Sequence, residues 1–130
     1  MQDIEAHLAA AADRVLQAFG RHDVDEYFSC FAEDATFVFY STPERLESKA
    51  AFEAEWKRWE AEYGYHVLSC VASGRRVQIV TDDVGLVSHS LTTRVSTKSG
   101  EEVLEERETM VLRKDQAGGW QCVHEHVSPK

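Results

Sequence analysis

The chain has 130 residues, of which 43% are apolar and 28% are charged, and its formal net charge at pH 7 is −9. This size and composition are typical of one globular domain, here residues 1–130, and exclude a disordered chain. The acidic balance argues against nucleic acid as a partner, and no apolar run reaches the roughly 20 residues that a membrane span needs.

The first half of the chain shows the apolar periodicity of helices. A stripe of period 3.6 predicts a first helix from about Asp3 to Gly20, with Gly20 just past its end. Asp23 and Glu26 have the spacing of an N-cap and the third residue of a short second helix. Aromatic residues at spacings of four, three and four predict a third helix from about Lys49 to Tyr63.

Patterns typical of strands begin at residue 35 and fill the second half of the chain. Glu33-Asp34 predicts a turn before a short buried strand at 35–40. After Gly64, segments rich in Val, Leu, Ile and Thr predict five strands at 65–72, 77–81, 84–97, 103–114 and 119–128. Helices followed by strands predict an α+β fold in which the helices cover one face of an antiparallel meander. A twisted sheet of long strands curves, which leaves a cavity at its wide end.

The N-terminal residues include acids where a secretory signal would carry basic residues followed by an apolar stretch. The cysteines are odd in number and widely spaced among apolar residues, at Cys30, Cys70 and Cys122. This usage is typical of reduced thiols. We therefore expect a cytoplasmic protein.

Two segments resemble the SnoaL-like domains of the nuclear transport factor 2-like superfamily. Residues 31–37 (FAEDATF) and 39–43 (FYSTP) are similar to the passage into the first strand of these domains. Residues 107–115, a glycine turn, Trp120 and 123–128 resemble their closing hairpin, and also that of the calcium/calmodulin-dependent kinase association domain. The resemblance implies a cone-shaped curved antiparallel sheet with N-terminal helices packed on its concave face, enclosing a pocket. The superfamily includes isomerases, cyclases, dehydratases, ligand-binding proteins and oligomerisation modules, so the fold implies no single activity.

The chain departs from two members of this group at positions that matter for function. Ketosteroid isomerases carry a catalytic aspartate near the end of the first strand, where this chain has Phe39 and no carboxylate from 37 to 43. Because the phenyl ring of Phe39 cannot abstract a proton, we expect no ketosteroid isomerase activity. The kinase association domain has an arginine where this chain has Thr109, although Arg107 lies two residues away on the same strand face.

The predicted hairpin turn at 98–101 defines two faces of the neighbouring strands. If Lys98 pairs with Glu101, one face carries hydroxyls and a guanidinium, with Thr92 opposite Arg107 and Ser90 opposite Thr109. The resemblance implies that this face lines the cavity, where the planar fork of Arg107 would bind an oxyanion between Ser90 and Thr109. The alternatives are an ion pair with Glu105 or simple exposure of Arg107. A register change of one residue would bring His89 into the cavity instead.

His124 and His126 alternate along the last predicted strand and should share a face with Trp120 and Cys122. Two histidines at this spacing suit a metal with His89 or a carboxylate as third ligand, an acid–base role in the pocket, or structural packing. No motif fixes a third ligand, so we expect no metal and no cofactor.

Trp56, Trp59 and Tyr63 form an aromatic stripe on the third helix, which favours packing against the sheet. Trp56 is also placed to form a cavity wall for a planar ligand. Tyr40, where the first strand meets a loop, is placed to donate a hydrogen bond at the pocket rim.

The sequence thus predicts a homodimer whose pocket binds a small anionic or carbonyl-bearing organic ligand. Arg107, with Ser90 and Thr109, would anchor the ligand; His124 and His126 would orient or protonate it, and Trp56 and Tyr40 would enclose it. The alternatives are a non-catalytic assembly module and a cyclase or isomerase with a histidine base. The apolar sheet face is the predicted dimer interface and carries Val87, Leu91, Met110 and Leu112.

Overall fold

The computed structural model describes residues 3–130 and shows an α+β fold. The elements follow the chain as α1 (Ile4–Gly20), α2 (Val24–Ser29), β1 (Phe31–Phe39), α3 (Lys49–Tyr63), β2 (His66–Thr81), β3 (Val84–Thr97), β4 (Gly100–Lys114) and β5 (Trp120–Pro129). The strands form one curved sheet in the order β1-β5-β4-β3-β2. Pairing is antiparallel from β2 through β5, and β1 adds to β5 in parallel. None of the helices in the described range is long and apolar enough to cross a membrane.

Local capping determines where α2 and α3 begin. The side chain of Asp23 accepts a hydrogen bond from the backbone N–H of Glu26 at 3.3 Å, which confirms the predicted N-cap of α2. Ser48 accepts from the N–H of Ala51 at 3.0 Å and begins α3. This helix ends at Gly64, which adopts the left-handed conformation with φ 64° that glycine tolerates best. The three predicted helices are therefore confirmed.

Several strand and helix boundaries differ from the sequence predictions, and β4 begins at Gly100 rather than at 103. The predicted turn at Glu33-Asp34 lies inside β1, where the pairing with β5 is irregular between Phe31 and Thr36. The two segments predicted at 65–72 and 77–81 form the single strand β2, interrupted by a bulge between Ser73 and Arg76. A bulge absorbs the turn-favouring residues without ending the strand. Gly20 is the last residue of α1 and not the residue after it.

The sheet has an inner face, covered by the helices, and an outer face that points away from them. Val87, Leu91, Met110 and Leu112 lie on the inner face and are at most 4% exposed, since the helices of the same chain cover them. The prediction that these four residues form a dimer interface is therefore wrong, because they belong to the core. The homodimer itself stays a prediction.

Candidate functional site

A cavity of about 280 Å³ lies between the inner face of the sheet and the three helices. Its wall is largely aromatic and includes Phe19, Tyr27, Phe39, Phe52, Trp56 and Trp59. Tyr40 and Tyr63 also line it and are about half exposed, so that side of the cavity meets solvent. The cavity therefore combines a closed apolar interior with an accessible rim.

Three glutamates reach the cavity from the middle of the sheet. Glu106 and Glu108 alternate on β4, and Glu125 lies on β5, where its Cα pairs with that of Met110. Glu108 and Glu125 are each only 3% exposed. A carboxyl group removed from water in this way must be hydrogen-bonded or must keep its proton, because an unpaired buried charge is costly.

Glu106 is held by two hydroxyl donors. Tyr40 donates its phenolic hydrogen to Oε2 of Glu106 at 2.6 Å. Thr93, buried on β3, donates to Oε1 at 3.1 Å. Both carboxylate oxygens of Glu106 are thus engaged, which fixes the side chain at the cavity wall.

Glu108 and Glu125 form a hydrogen-bonded pair of carboxyl groups. Burial raises the pKa of Glu108, and burial together with the neighbouring charge of Glu108 raises the pKa of Glu125 well above its ordinary range. Tyr27 donates to Oε1 of Glu125 at 3.3 Å from α2. The raised pKa values favour one proton shared by the pair, as is usual for two close carboxyls that cannot easily both ionise.

A line of polar groups connects this pair to the surface. His89 Nε2 and Glu108 Oε1 lie 2.7 Å apart, and Nδ1 of the same ring accepts from Nε of Arg75 at 3.3 Å. Arg75 in turn donates to Asp13 at 2.6 Å and to the carbonyl of Ala9 at 3.4 Å. Burial, and then the positive charge of Arg75, lowers the pKa of His89 to about 4, so the imidazole is neutral at pH 7.

Trp56 contributes a hydrogen-bond donor without a partner. Its indole Nε1–H is buried and has no acceptor within the described part of the chain. The side chain as a whole is 2% exposed and lines the cavity. Buried donors are rarely left unpaired in folded proteins, so this N–H is a group that a bound molecule would satisfy.

Of the seven residues predicted for the site, only Tyr40 and Trp56 line the cavity. Arg107 is exposed on the outer face, because alternate residues of β4 point to opposite sides and Glu106 and Glu108 take the inner positions. The hairpin register also differs by two residues from the prediction, so that Ser90 faces Arg107 and Ser88 faces Thr109. A shift of two leaves the faces unchanged. The prediction that the face of Arg107, Ser90 and Thr109 lines the cavity is therefore wrong.

His124 and His126 also lie away from the cavity, on the outer face beside Val111 and Thr109. The pairing of β4 with β5 shifts between Val111 and Leu112, which places a bulge in β5 and breaks the predicted alternation with Trp120 and Cys122. His124 Nδ1 lies 2.8 Å from the Thr36 hydroxyl, and His126 is exposed. Among residues 3–130, no group of three potential ligands lies close enough to hold a metal.

The three glutamates and Tyr27 were not predicted as site residues. His89 was predicted to line the cavity only in the alternative with a register change of one residue. The sequence does contain a signal for them, because Glu108 falls on the same alternating face as Met110 and Leu112. A carboxyl group on an otherwise apolar strand face is rare unless it has a partner or a function.

Solved structures with the same fold cover nearly all of this chain. A ketosteroid isomerase-like protein from Erwinia carotovora atroseptica is 19% identical with a TM-score of 0.84, covering 99% of this chain and 98% of that one. An NTF2-like protein of unknown function in nutrient uptake from Rhodospirillum rubrum is 18% identical with a TM-score of 0.81, covering 95% and 98%. A calcium/calmodulin-dependent protein kinase II association-domain-like protein from Xanthomonas campestris is 20% identical with a TM-score of 0.78, covering 95% and 85%. At such identities the likeness shows the fold alone.

A comparison with curated proteins gave no match. The family model described as a SnoaL-like domain matches residues 8–130, which include the cavity, its three glutamates and all five strands. The resemblance seen in the first strand and the closing hairpin thus extends through the whole fold. The chain belongs to the SnoaL-like domain family.

Proposed function

We propose that this protein binds a small, flat, carbonyl-bearing organic molecule in its cavity and catalyses proton transfer at the carbon next to the carbonyl group. The observation that carries the proposal is the buried pair of Glu108 and Glu125 at the wall of an aromatic cavity. Two carboxyls that share one proton supply a general base and a general acid side by side.

The lining of the cavity favours a neutral ligand over an anion. Three glutamates face the space, whereas Arg107, the residue predicted to anchor an anion, lies on the outer face. A carboxylate ligand would be repelled by the negative charge, so of the two predicted ligand classes the carbonyl compound is preferred. Aromatic side chains pack well on flat apolar molecules, and the free indole N–H of Trp56 suits a hydrogen-bond acceptor.

The chemical step is a reversible enolisation. The ionised carboxylate of the pair takes a proton from the α-carbon, and the electron pair of the broken C–H bond moves into the C–C–O system. The protonated carboxyl of the pair gives its proton to the carbonyl oxygen, which yields the enol. The first carboxyl then returns a proton to carbon while the enol O–H gives its proton back to the second carboxyl. This restores the ketone, or its isomer if a conjugated carbon accepts the proton, and the pair ends with one proton as it began.

The two alternatives predicted from the sequence fit the geometry less well. An assembly module would tolerate a cavity filled by side chains, but this cavity retains about 280 Å³ of space. A histidine base would need a free ring nitrogen facing the cavity. His124 and His126 lie outside it, and Nδ1 of His89 is occupied by Arg75.

The test uses 1-tetralone, a flat bicyclic ketone, dissolved in D₂O with the purified protein. Proton NMR follows the loss of the α-proton signals at C2, and quenching of tryptophan fluorescence measures binding. We expect exchange above the buffer rate, reduced by about 100-fold or more in Glu108→Gln and in Glu125→Gln.

Glu105→Gln is the matched control, because Glu105 lies on the same strand but is exposed on the outer face. It should leave the exchange rate unchanged. Exchange at the buffer rate despite saturable binding of 1-tetralone would refute the catalytic proposal. Absence of both binding and exchange would refute the proposed ligand class as well.

A further inference from the structure

The proton of the Glu108–Glu125 pair can reside on either carboxyl, and the surroundings of the pair are unequal. Tyr27 on α2 contacts Glu125, whereas His89 on β3 contacts Glu108. Glu106 lies on the same wall of the cavity and is satisfied by Tyr40 and Thr93. Which carboxyl holds the proton therefore depends on whether His89 directs an N–H or a lone pair at Glu108.

Arg75 determines which ring nitrogen of His89 carries the proton. The guanidinium is a donor only and keeps its charge in proteins, so its Nε–H at 3.3 Å requires a lone pair on Nδ1 of His89. A ring protonated on Nδ1, whether as the other tautomer or as imidazolium, would place two N–H groups against each other. Arg75 is itself held in place by Asp13 and the Ala9 carbonyl, both on α1. The single proton of the neutral ring is thus confined to Nε2, which faces Glu108 at 2.7 Å.

We propose that Arg75 is a positioning residue that fixes the charge of the pair: by occupying Nδ1 of His89 it keeps a donor on Glu108, so that Glu108 is the carboxylate and Glu125 holds the proton. An N–H donor stabilises a carboxylate more than a neutral carboxyl group, whose carbonyl oxygen is the weaker acceptor. The ring nitrogen of His89 lies 2.7 Å from Glu108, whereas the Tyr27 hydroxyl lies 3.3 Å from Glu125, so the closer donor favours the charge on Glu108. In this way a residue of β2 outside the cavity determines the state of two residues inside it.

The assignment deepens the proposed function and, for its catalytic part, rests on it. Glu108 becomes the base that takes the α-proton and Glu125 the acid that protonates the carbonyl oxygen. The line from Asp13 to Glu108 does not conduct protons, because arginine does not release one.

The first experiment reads the histidine directly and requires no ligand. The six histidines are labelled with ¹⁵N, and long-range ¹H–¹⁵N correlation spectra are recorded between pH 5.5 and 8; the signals of His89 are identified by their loss in His89→Gln. We expect Nδ1 of His89 to carry no proton throughout this range in the wild type. In Arg75→Met, Nδ1 should gain a proton in at least part of the range. Arg75→Lys, which keeps a cationic donor, should restore the wild-type spectrum in whole or in part.

Arg76→Met is the matched control, since Arg76 is the next residue of β2, is exposed and pairs with Ser88. It removes the same charge and should leave the His89 spectrum unchanged. A proton on Nδ1 in the wild type at neutral pH, or an Nδ1 that stays bare in Arg75→Met over the whole range, would overturn the proposal.

A second readout separates this inference from the proposed function. Carboxyl ¹³C spectra at pH 7 should show one protonated glutamate in the wild type, and its signal should disappear in Glu125→Gln. Arg75→Met should lower the kcat for 1-tetralone exchange by roughly tenfold with little change in KM, while Arg76→Met changes neither. If the wild type catalyses no exchange, the proposed function fails and the two spectra still decide the charge assignment. If exchange occurs but the protonated carboxyl signal survives in Glu125→Gln, the assignment alone is wrong.

Discussion

The two faces of the β3–β4 hairpin differ in a way that reverses a common expectation. The outer face carries Arg107, Ser90 and Thr109 and so has the more polar composition, yet it points away from the helices and the cavity. The inner face reads as apolar, yet it holds Glu106 and Glu108 within a hydrophobic wall. Polar groups in water are easily satisfied, whereas the same groups in a desolvated cavity have shifted pKa values and strong interactions. In this fold, a few charged residues on an apolar face mark the cavity wall better than many polar residues on one face do.

The largest expected effect compares neighbouring residues on opposite faces. Met110 is fully buried on the inner face, so Met110→Ala should lower the free energy of unfolding by about 2–5 kcal/mol. Thr109→Ala, one residue earlier on the outer face, should stay within about 0.5 kcal/mol of the wild type. Guanidinium unfolding with a common m-value measures both. Equal losses would show that the outer face is also buried, for instance in a dimer.

Much of the fold follows from the sequence because it depends on local patterns. The helices were predicted from apolar periodicity and, for α2, from the N-cap at Asp23, both of which act within a few residues. The parallel pairing of β1 with β5 is a contact between the two halves of the chain, and no local pattern specifies it. The site was predicted less well for a related reason. Alternation defines two faces of a strand but does not say which one the helices cover, and the bulge in β5 reverses the alternation before His124.

The second prediction concerns the pH dependence of stability and the pair on the inner face. The pKa of Glu125 is raised by burial in the folded state, so between its ordinary value of 4.5 and the folded value the folded protein binds more protons than the unfolded chain. Stability therefore falls as pH rises through this range. Glu125→Gln removes this titration, and its amide can still donate to Glu108 and accept from Tyr27. The variant should gain about 1 kcal/mol or more over the wild type at pH 8, the energy of a single pKa unit, and the gain should shrink towards pH 5.

Thermal unfolding at several pH values between 5 and 8 measures this difference. Glu105→Gln is the matched control, since it removes a glutamate of the outer face that is exposed and lies away from the pair. If the two variants behave alike, the carboxyl of Glu125 titrates normally and the pair does not retain a proton.

The smallest expected effect is at Arg107, and it tests the comparison most directly. An anion would be needed at Arg107 if the residue were buried, because a buried guanidinium is costly without a counter-charge. In the structure Arg107 is exposed on the outer face, with Ser90 and Ser128 as its strand partners, so water already satisfies the guanidinium and no anion is needed. Arg107→Met should change the free energy of unfolding by no more than about 0.5 kcal/mol and leave 1-tetralone binding unaltered.

Benzoate, a flat carboxylate, should not raise the melting temperature of either protein, because the cavity is lined by glutamates and ligand stabilisation requires binding to the folded state. A benzoate-induced rise in the wild type that disappears in Arg107→Met would locate an anion site on the outer face, and the conclusion that the exposed guanidinium needs no anion would then be wrong.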